Sequence, residues 1–282
     1  MQSKQKLKIP VLNCAGKFLD VTRPVVMGIL NITPDSFYDG GAYISVGDQL
    51  KQTEKMLKEG ASIIDIGAVS TRPGAKAVDE KQELSRLLPI LTVISKYFPS
   101  LILSVDTFRS AVATIAIENG AGMINDIYGG RFDEKIIETI ASHTIPYVIM
   151  HMQGTPQTMQ VDPHYTDVVK DITGFFIKQL ALFPSGYDQI ILDPGFGFGK
   201  KIEHNFQILS RLTEIKKLGY PVMAGFSRKS MINKVLHTKP IEALNGTTVL
   251  NTIALLKGVN ILRVHDVKEA MEAIKLVAMT GD

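Results

Sequence analysis

The chain has 282 residues, 45% hydrophobic and 21% charged, with 31 basic and 28 acidic side chains for a net charge of +3. That balance is typical of a globular protein, the length buries a core without disulfides or a structural metal, and no long Lys/Arg run marks a nucleic-acid or membrane-surface binder. A single cysteine, Cys14, excludes an intramolecular disulfide and fits a reducing compartment; with no secretory signal and no membrane-length apolar run, a cytoplasmic location is expected.

Residues 8–22 read as a small hairpin turned at Ala15-Gly16, placed to plug the bottom of a barrel. The first apolar run, VVMGILN (25–31), reads as a strand and precedes a helical pattern over 46–59. SIIDIGA (62–68) leads to a helix over 79–97, whose start is signalled by Asp79, Glu80 and Glu83. LILSVDT (101–107) and MINDI (123–127) are followed by helices over 108–119 and 133–142, the latter signalled by Asp133 and Glu134. YVIMHM (147–152) precedes a helix over 166–182, and IILDPG (190–195) one over 204–218. VMAGFS (222–227) is followed by a short helical turn at 230–236 and a helix over 240–257; ILRVHD (261–266) precedes the last helix, 267–278. Such β-branched runs suit strands buried on both faces of a parallel sheet. Eight of them alternating with helices predict one α/β domain over 1–282, a (β/α)8 TIM barrel with a short N-terminal hairpin. A dinucleotide-binding fold is disfavoured, because no G-x-G-x-x-G follows the first strand and GFGFG (195–199) follows the sixth without that spacing.

The predicted strand ends are polar: Asn31, Asp106, Asn125-Asp126, Asp193, Ser227-Arg228-Lys229, Arg263 and His265. In a TIM barrel these ends converge on the face that carries the active site. Each has a plainer alternative. Asp106-Thr107 and Asp126 suit caps of the following helices, His265-Asp266 a hydrogen-bonded pair, Lys229 a solvated loop charge, and His151 a satisfied core histidine. Taken together, the acceptors suit a ligand rich in N–H donors, such as an aminopyrimidinone edge. Arg263, His265 and Lys229 suit phosphate or carboxylate oxygens. No zinc motif is present, and Mg²⁺ accompanying a phosphorylated substrate is the expected metal.

NITPDSF (31–37), DIGAVSTRPGA (65–75), SVDTFR (104–109), HMQGTPQTMQ (151–160), LDPGFGFGK (192–200), FSRKS (226–230) and LRVHDV (262–267) together closely resemble the dihydropteroate synthases, over essentially the whole chain. One departure is Ala68-Val69, where many members read Gly-Glu. The resemblance implies condensation of 6-hydroxymethyl-7,8-dihydropterin diphosphate with p-aminobenzoate in folate biosynthesis. It implies that Asp106, Asn125, Asp193 and Lys229 hold the pterin. Arg263, His265, Asn31 and Thr71 would hold its diphosphate, Asn31 would ligate Mg²⁺, and Asp35 would stabilise a cation. Arg72 and Ser230 would receive the p-aminobenzoate carboxylate, with Phe37, Pro73 and Phe198 along its ring. A homodimer packed through late helices is also implied. A corrinoid methyltransferase would not need STRPG or SRKS, and a non-catalytic pterin-binding paralogue would be expected to lose one of the first two loops.

Overall fold

The apolar runs become strands because every second side chain faces the barrel interior while the alternate ones face a jacket of helices. The structure, a computed structural model, describes residues 11–33, 45–70 and 78–281. A two-stranded antiparallel hairpin, β1 (Leu12–Cys14) and β2 (Lys17–Leu19), turns at Ala15-Gly16, both at positive φ. The eight parallel strands are β3 (Val25–Asn31), β4 (Ile63–Gly67), β5 (Ile102–Asp106), β6 (Met123–Asp126), β7 (Tyr147–Met150), β8 (Ile190–Asp193), β9 (Met223–Ala224) and β10 (Ile261–Val264). They lie side by side in the order β8-β7-β6-β5-β4-β3-β10-β9, and a bridge from Leu192 to Val222 closes the ring. The predicted barrel and hairpin are therefore present.

The helices are α1 (Val46–Glu59), α2 (Glu80–Tyr97), α3 (Ser110–Glu118), α4 (Ile136–His143), α5 (Val168–Leu180), α6 (Ile202–Ser210), α7 (Leu212–Lys216), α8 (Ser230–Leu236), α9 (Leu244–Leu256) and α10 (Val267–Met279). Asp79 caps α2 as expected, accepting from Gln82 N–H at 2.8 Å. Four expectations need correction. The 204–218 helix begins at Ile202 and breaks at Arg211, whose guanidinium is held by Asp167 and Glu214. The 240–257 helix begins as a 3-10 turn, Pro240–Glu242, before α9. The helix expected over 133–142 begins at Ile136, with Asp133 in the turn that leads into it: its Oδ1 accepts Lys135 N–H at 3.0 Å, and its Oδ2 accepts the Ser110 N–H at 2.7 Å and so serves α3 as well. Only Met223 and Ala224 of the seventh run form a ladder, with β10. Below them Asn260 takes over the pairing: its Oδ1 accepts Val222 N–H at 3.0 Å, and its Nδ2 donates to Val21 O at 2.8 Å.

The interior is layered. The floor is Met27, Ile63, Ile102, Met123, Val148, Ile191, Met223 and Ile261, packed on Leu12, Cys14, Leu19 and Val21 of the hairpin segment. Burial pushes the Cys14 thiol up to about 12, so it packs as an inert apolar group. Two residues farther along five strands the interior turns polar, with Asp65, Ser104, Asn125, Asp193 and Arg263. Alternate residues such as Ile64, Ile66, Val105, Leu192 and Val264 join the larger core beneath the helices. The plug thus seals one end of the barrel and leaves the polar layer facing the other. Leu12 is fully buried in that floor, so Leu12→Ala is expected to cost about 3 kcal/mol of unfolding free energy in urea titrations, with turnover at 20 °C, roughly room temperature, retained.

Candidate active site

Strand register gathers the polar ends. Asn31 pairs with Gly67, Gly67 with Asp106, and Asp106 with Asn125, so three adjacent strands deliver their last residues, and β6 its last but one, at one level. Gly67 leaves room for the amide: a Cβ at this position would stand 3.2 Å from Asn31 Oδ1 and press on it. Across the barrel, Arg263 extends from β10 toward β4 and β5. Its Nε donates to Asp65 Oδ2 at 2.7 Å and its Nη2 to Asp106 Oδ2 at 3.1 Å. Asn125 Nδ2 donates to the same Asp65 oxygen at 2.9 Å.

One guanidinium therefore faces two carboxylates. Burial drives the Asp106 carboxyl up to about 8; Arg263 opposes the shift, and the negative neighbour Asp65 adds to it. Arg263 is itself held above its ordinary value, since Asp65 and Asp106 outweigh its burial. On the other wall, burial raises the Asp193 carboxyl against the pull of Lys229 and of the Gly195 N–H, which donates to Asp193 Oδ1 at 2.7 Å. Gly195 lies at φ +68°, and a Cβ there would meet His151 O at 2.0 Å, so only glycine lets the chain turn this tightly. Burial lowers Lys229 to about 8. Its Nζ donates to Phe196 O and lies 4.9 Å from the centre of the Phe198 ring. Lys229 is thus inside the mouth rather than a solvated charge, and it caps α8, whose first residue is the exposed Ser230.

The β9–α8 loop is locked from behind. Arg228 sits at φ +57°, and its guanidinium grips Asp266 through bonds of 2.7 and 3.2 Å. Ser227 Oγ lies 2.9 Å from His265 Nδ1 and accepts the His265 N–H at 3.2 Å. The expected alternative of a His265-Asp266 pair is replaced by these two contacts. Asp126 points away from the mouth. It accepts from Tyr147 Oη and from the N–H groups of Tyr128 (2.7 Å) and Gly130 (2.8 Å), so it shapes a loop and caps no helix.

Of the expected site residues, Asn31, Asp106, Asn125, Asp193 and Arg263 lie at or near strand ends, and Phe198, Lys229, Ser230 and His265 in the segments that follow β8, β9 and β10. Asp35, Phe37, Thr71, Arg72 and Pro73 lie outside the described residues. Two buried charges were missed. Asp65 is a carboxylate inside an otherwise apolar strand, and that contrast was the available signal. Lys200 closes the Gly-rich loop; its Nζ reaches the carbonyls of His151, Gly195 and Phe198 at 2.9 to 3.1 Å and His151 Nδ1 at 3.2 Å. Four acceptors around one nitrogen call for the ammonium form, even though burial pushes that group well below its ordinary value. Burial and the adjacent Lys200 lower His151 to about 2, so it remains neutral, a satisfied interior histidine as expected.

Known proteins resemble this chain in sequence and fold. The model of the pterin binding enzyme family matches residues 27–265. The dihydropteroate synthase of Escherichia coli K12 is 43% identical over 268 residues, covering 94% of each chain. A Yersinia pestis dihydropteroate synthase solved with a sulfonamide drug complex superposes with a TM-score of 0.90 at 42% identity, over 96% of this chain and 99% of that one. The Xanthomonas albilineans enzyme solved with 4-aminobenzoic acid does so with a TM-score of 0.88 at 38% identity, over 97% and 98%.

The raised Asp106 value fixes a pH dependence. The unfolded carboxyl ionises near pH 4, whereas the folded one keeps its proton to about pH 8. Across that window the native state binds more protons than the unfolded state, so this group's contribution to stability falls as pH rises. The neutral isostere Asp106→Asn should therefore gain on the parent between pH 5 and pH 8, by at least about 1 kcal/mol in denaturant titrations of ligand-free protein.

Proposed function

The chain belongs to the pterin-binding enzyme family, among its dihydropteroate synthases, and we propose that it joins 6-hydroxymethyl-7,8-dihydropterin diphosphate to p-aminobenzoate by departure of diphosphate ahead of amine attack. The observation that carries this reading is the polar layer itself. Asp106, Asn125 and Asp193 offer acceptors at the depth where a flat, donor-edged ring would rest, and Lys229 and Arg263 offer donors beside them. The carboxylates would take the pterin 2-amino and ring N–H groups, Lys229 a ring acceptor, and Arg263 would stack on the ring.

In the reaction the methylene C–O bond breaks with its electron pair leaving on diphosphate. The electron-rich dihydropterin delocalises the positive charge left on the methylene. The neutral aryl amine then forms the C–N bond and loses a proton to the departing diphosphate or water. No strong general base is needed, because the aryl amine attacks in its neutral form. The protein's task is electrostatic: anionic groups near the developing cation and cationic groups near the leaving group, fixed in place beforehand. Asp35 of the first loop is assigned to the cation. Arg263, the Ser227-fixed ring of His265, Asn31 and Thr71 are assigned to the diphosphate.

The donor set fits Mg²⁺ carried by the substrate. Asn31 supplies a hard oxygen, and no three His, Cys, Asp or Glu side chains converge among the described residues. Such a cation would be held mostly by diphosphate and water, with Asn31 as its protein ligand. When bound it neutralises charge on the leaving group. For p-aminobenzoate, Phe198 beside the Lys229 stem is one wall of the ring slot, with Phe37 and Pro73 assigned to the rest; Arg72 and Ser230 are assigned to the carboxylate.

We also place the enzyme in the cytoplasm as a homodimer. Val235, Leu236, Leu244, Val249, Leu256 and Leu276 on α8, α9 and α10 are apolar and exposed, and they support such an interface. No described helix is long and apolar enough to cross a membrane.

Purified protein with Mg²⁺ should release diphosphate in step with dihydropteroate when both substrates are present; pterin binding without turnover would contradict the reading. Asp35→Ala should lower kcat about 100-fold and leave pterin affinity within about threefold; near-full turnover would remove Asp35 from its assigned role. Val249→Asp should shift the sedimenting species from dimer toward monomer, since a charge placed on a buried apolar interface is left unpaired.

A further inference from the structure

Asp65 has no part in the chemistry above, yet it is a fully buried charge at the heart of the barrel. It stands in the middle of β4, between Ile64 and Ile66, which belong to the core beneath the helices. Its Oδ2 faces Nε and Nη2 of Arg263, each at 2.7 Å, and accepts from Asn125 Nδ2 at 2.9 Å. A buried carboxylate is costly unless it is paired and hydrogen-bonded, and Arg263 is the cation that meets it.

Arg263 is also shared with Asp106, which it reaches through Nη2 alone. A guanidinium edge closes a two-bond fork on one carboxylate at a time. The Nε/Nη2 edge of Arg263 is turned to Asp65, so that edge is not offered to Asp106, which is left with the single 3.1 Å bond from Nη2. The bond from Asn125 to Asp65 fixes the Asn125 amide, because donation through Nδ2 sets Oδ1 on the opposite side. We propose that Asp65 is a positioning residue that holds Arg263 back from Asp106 and sets the Asn125 carboxamide, so that both Asp106 and Asn125 present acceptors to the pterin. This rests on the reading of the mouth as a pterin site. Without the Asp65 charge, Arg263 settles on Asp106 as a bidentate pair that the pterin must displace. The cost then falls on the pterin and spares p-aminobenzoate, whose assigned partners include Phe198, on the loop after β8, and Ser230, the first residue of α8.

Asp65→Asn preserves shape and keeps an oxygen for Asn125 while removing the charge. Steady-state kinetics should show the KM for pterin diphosphate rising about tenfold or more, with the KM for p-aminobenzoate within about twofold. Lysine cannot close a fork, so Asp65→Asn added to Arg263→Lys should raise the pterin KM by less than about threefold further. Equal rises in both KM values, or losses that multiply in the double variant, would overturn the proposal and leave Asp65 a structural residue. Circular dichroism melting confirms folding. If Asp65→Asn does not fold, Asp65→Ser, which also removes the charge and keeps a small polar group, enters the same cycle with the same expected and contrary results. Parent enzyme that makes no dihydropteroate would overturn the reading of the site; active parent with an unchanged pterin KM in the variant would overturn the role of Asp65 alone.

Discussion

The structure depends on one imbalance: a single guanidinium, Arg263, set between two carboxylates one layer above an apolar floor. A barrel of this kind fills its interior with branched side chains, and the floor here obeys that rule down to the hairpin that plugs it. Directly above, Asp65, Asn125, Asp193 and Arg263 replace the apolar filling. Buried charge of this density is tolerated only where each group has a partner. The partners here are strictly limited, so that Asp106 holds its proton to about pH 8 in the free protein. The site is destabilised in its own ground state, as expected where a fold reserves its acceptors for a ligand.

The rest of the molecule serves to keep those groups still. Asn31, Gly67, Asp106 and Asn125 sit side by side because parallel register leaves no alternative. The Gly195 turn and the Lys200 ammonium, surrounded by three carbonyls, bind the end of β7 to the loop after β8, which carries Phe196 and Phe198 under Lys229. The Arg228–Asp266 pair fixes the loop that delivers Lys229 and Ser230. A cationic transition state bound in such a place meets dipoles and charges already oriented, so little reorganisation opposes the reaction.

Much of this was legible in the chain. Eight apolar runs with helical spacing between them fixed the barrel, and the polar residues closing those runs fixed most of the mouth, because strand ends in this fold have one destination. The misreadings have physical causes. VMAGFS has the composition of a full strand, but Gly225 and the side-chain pairing of Asn260 with Val222 leave only two residues in the ladder. Helical periodicity over 204–218 survives the break at Arg211, since both halves bury the same face; Ile208, Leu209, Leu212 and Ile215 are all in one core. Asp65 escaped notice because it lies two residues before its strand end, where its partners come from β6 and β10, and no local pattern records a contact 198 residues away. Lys200 closes a glycine-rich run, and its partner His151 lies 49 residues away. The roles of individual mouth residues came from the family resemblance rather than from periodicity.

The central claim is that the mouth supports a cation, with diphosphate leaving before the amine attacks. Positional isotope exchange tests it directly. Pterin diphosphate carrying ¹⁸O in the bridge between methylene and phosphorus is incubated with enzyme, Mg²⁺ and benzoate, which occupies the second subsite but has no amine. The account predicts that recovered substrate shows the label scrambled from the bridge into the non-bridging oxygens of that phosphorus, as ionisation and return proceed without product. Label held in the bridge, while the same enzyme turns over rapidly with p-aminobenzoate, would mean that the amine must push the diphosphate out, and would contradict the account.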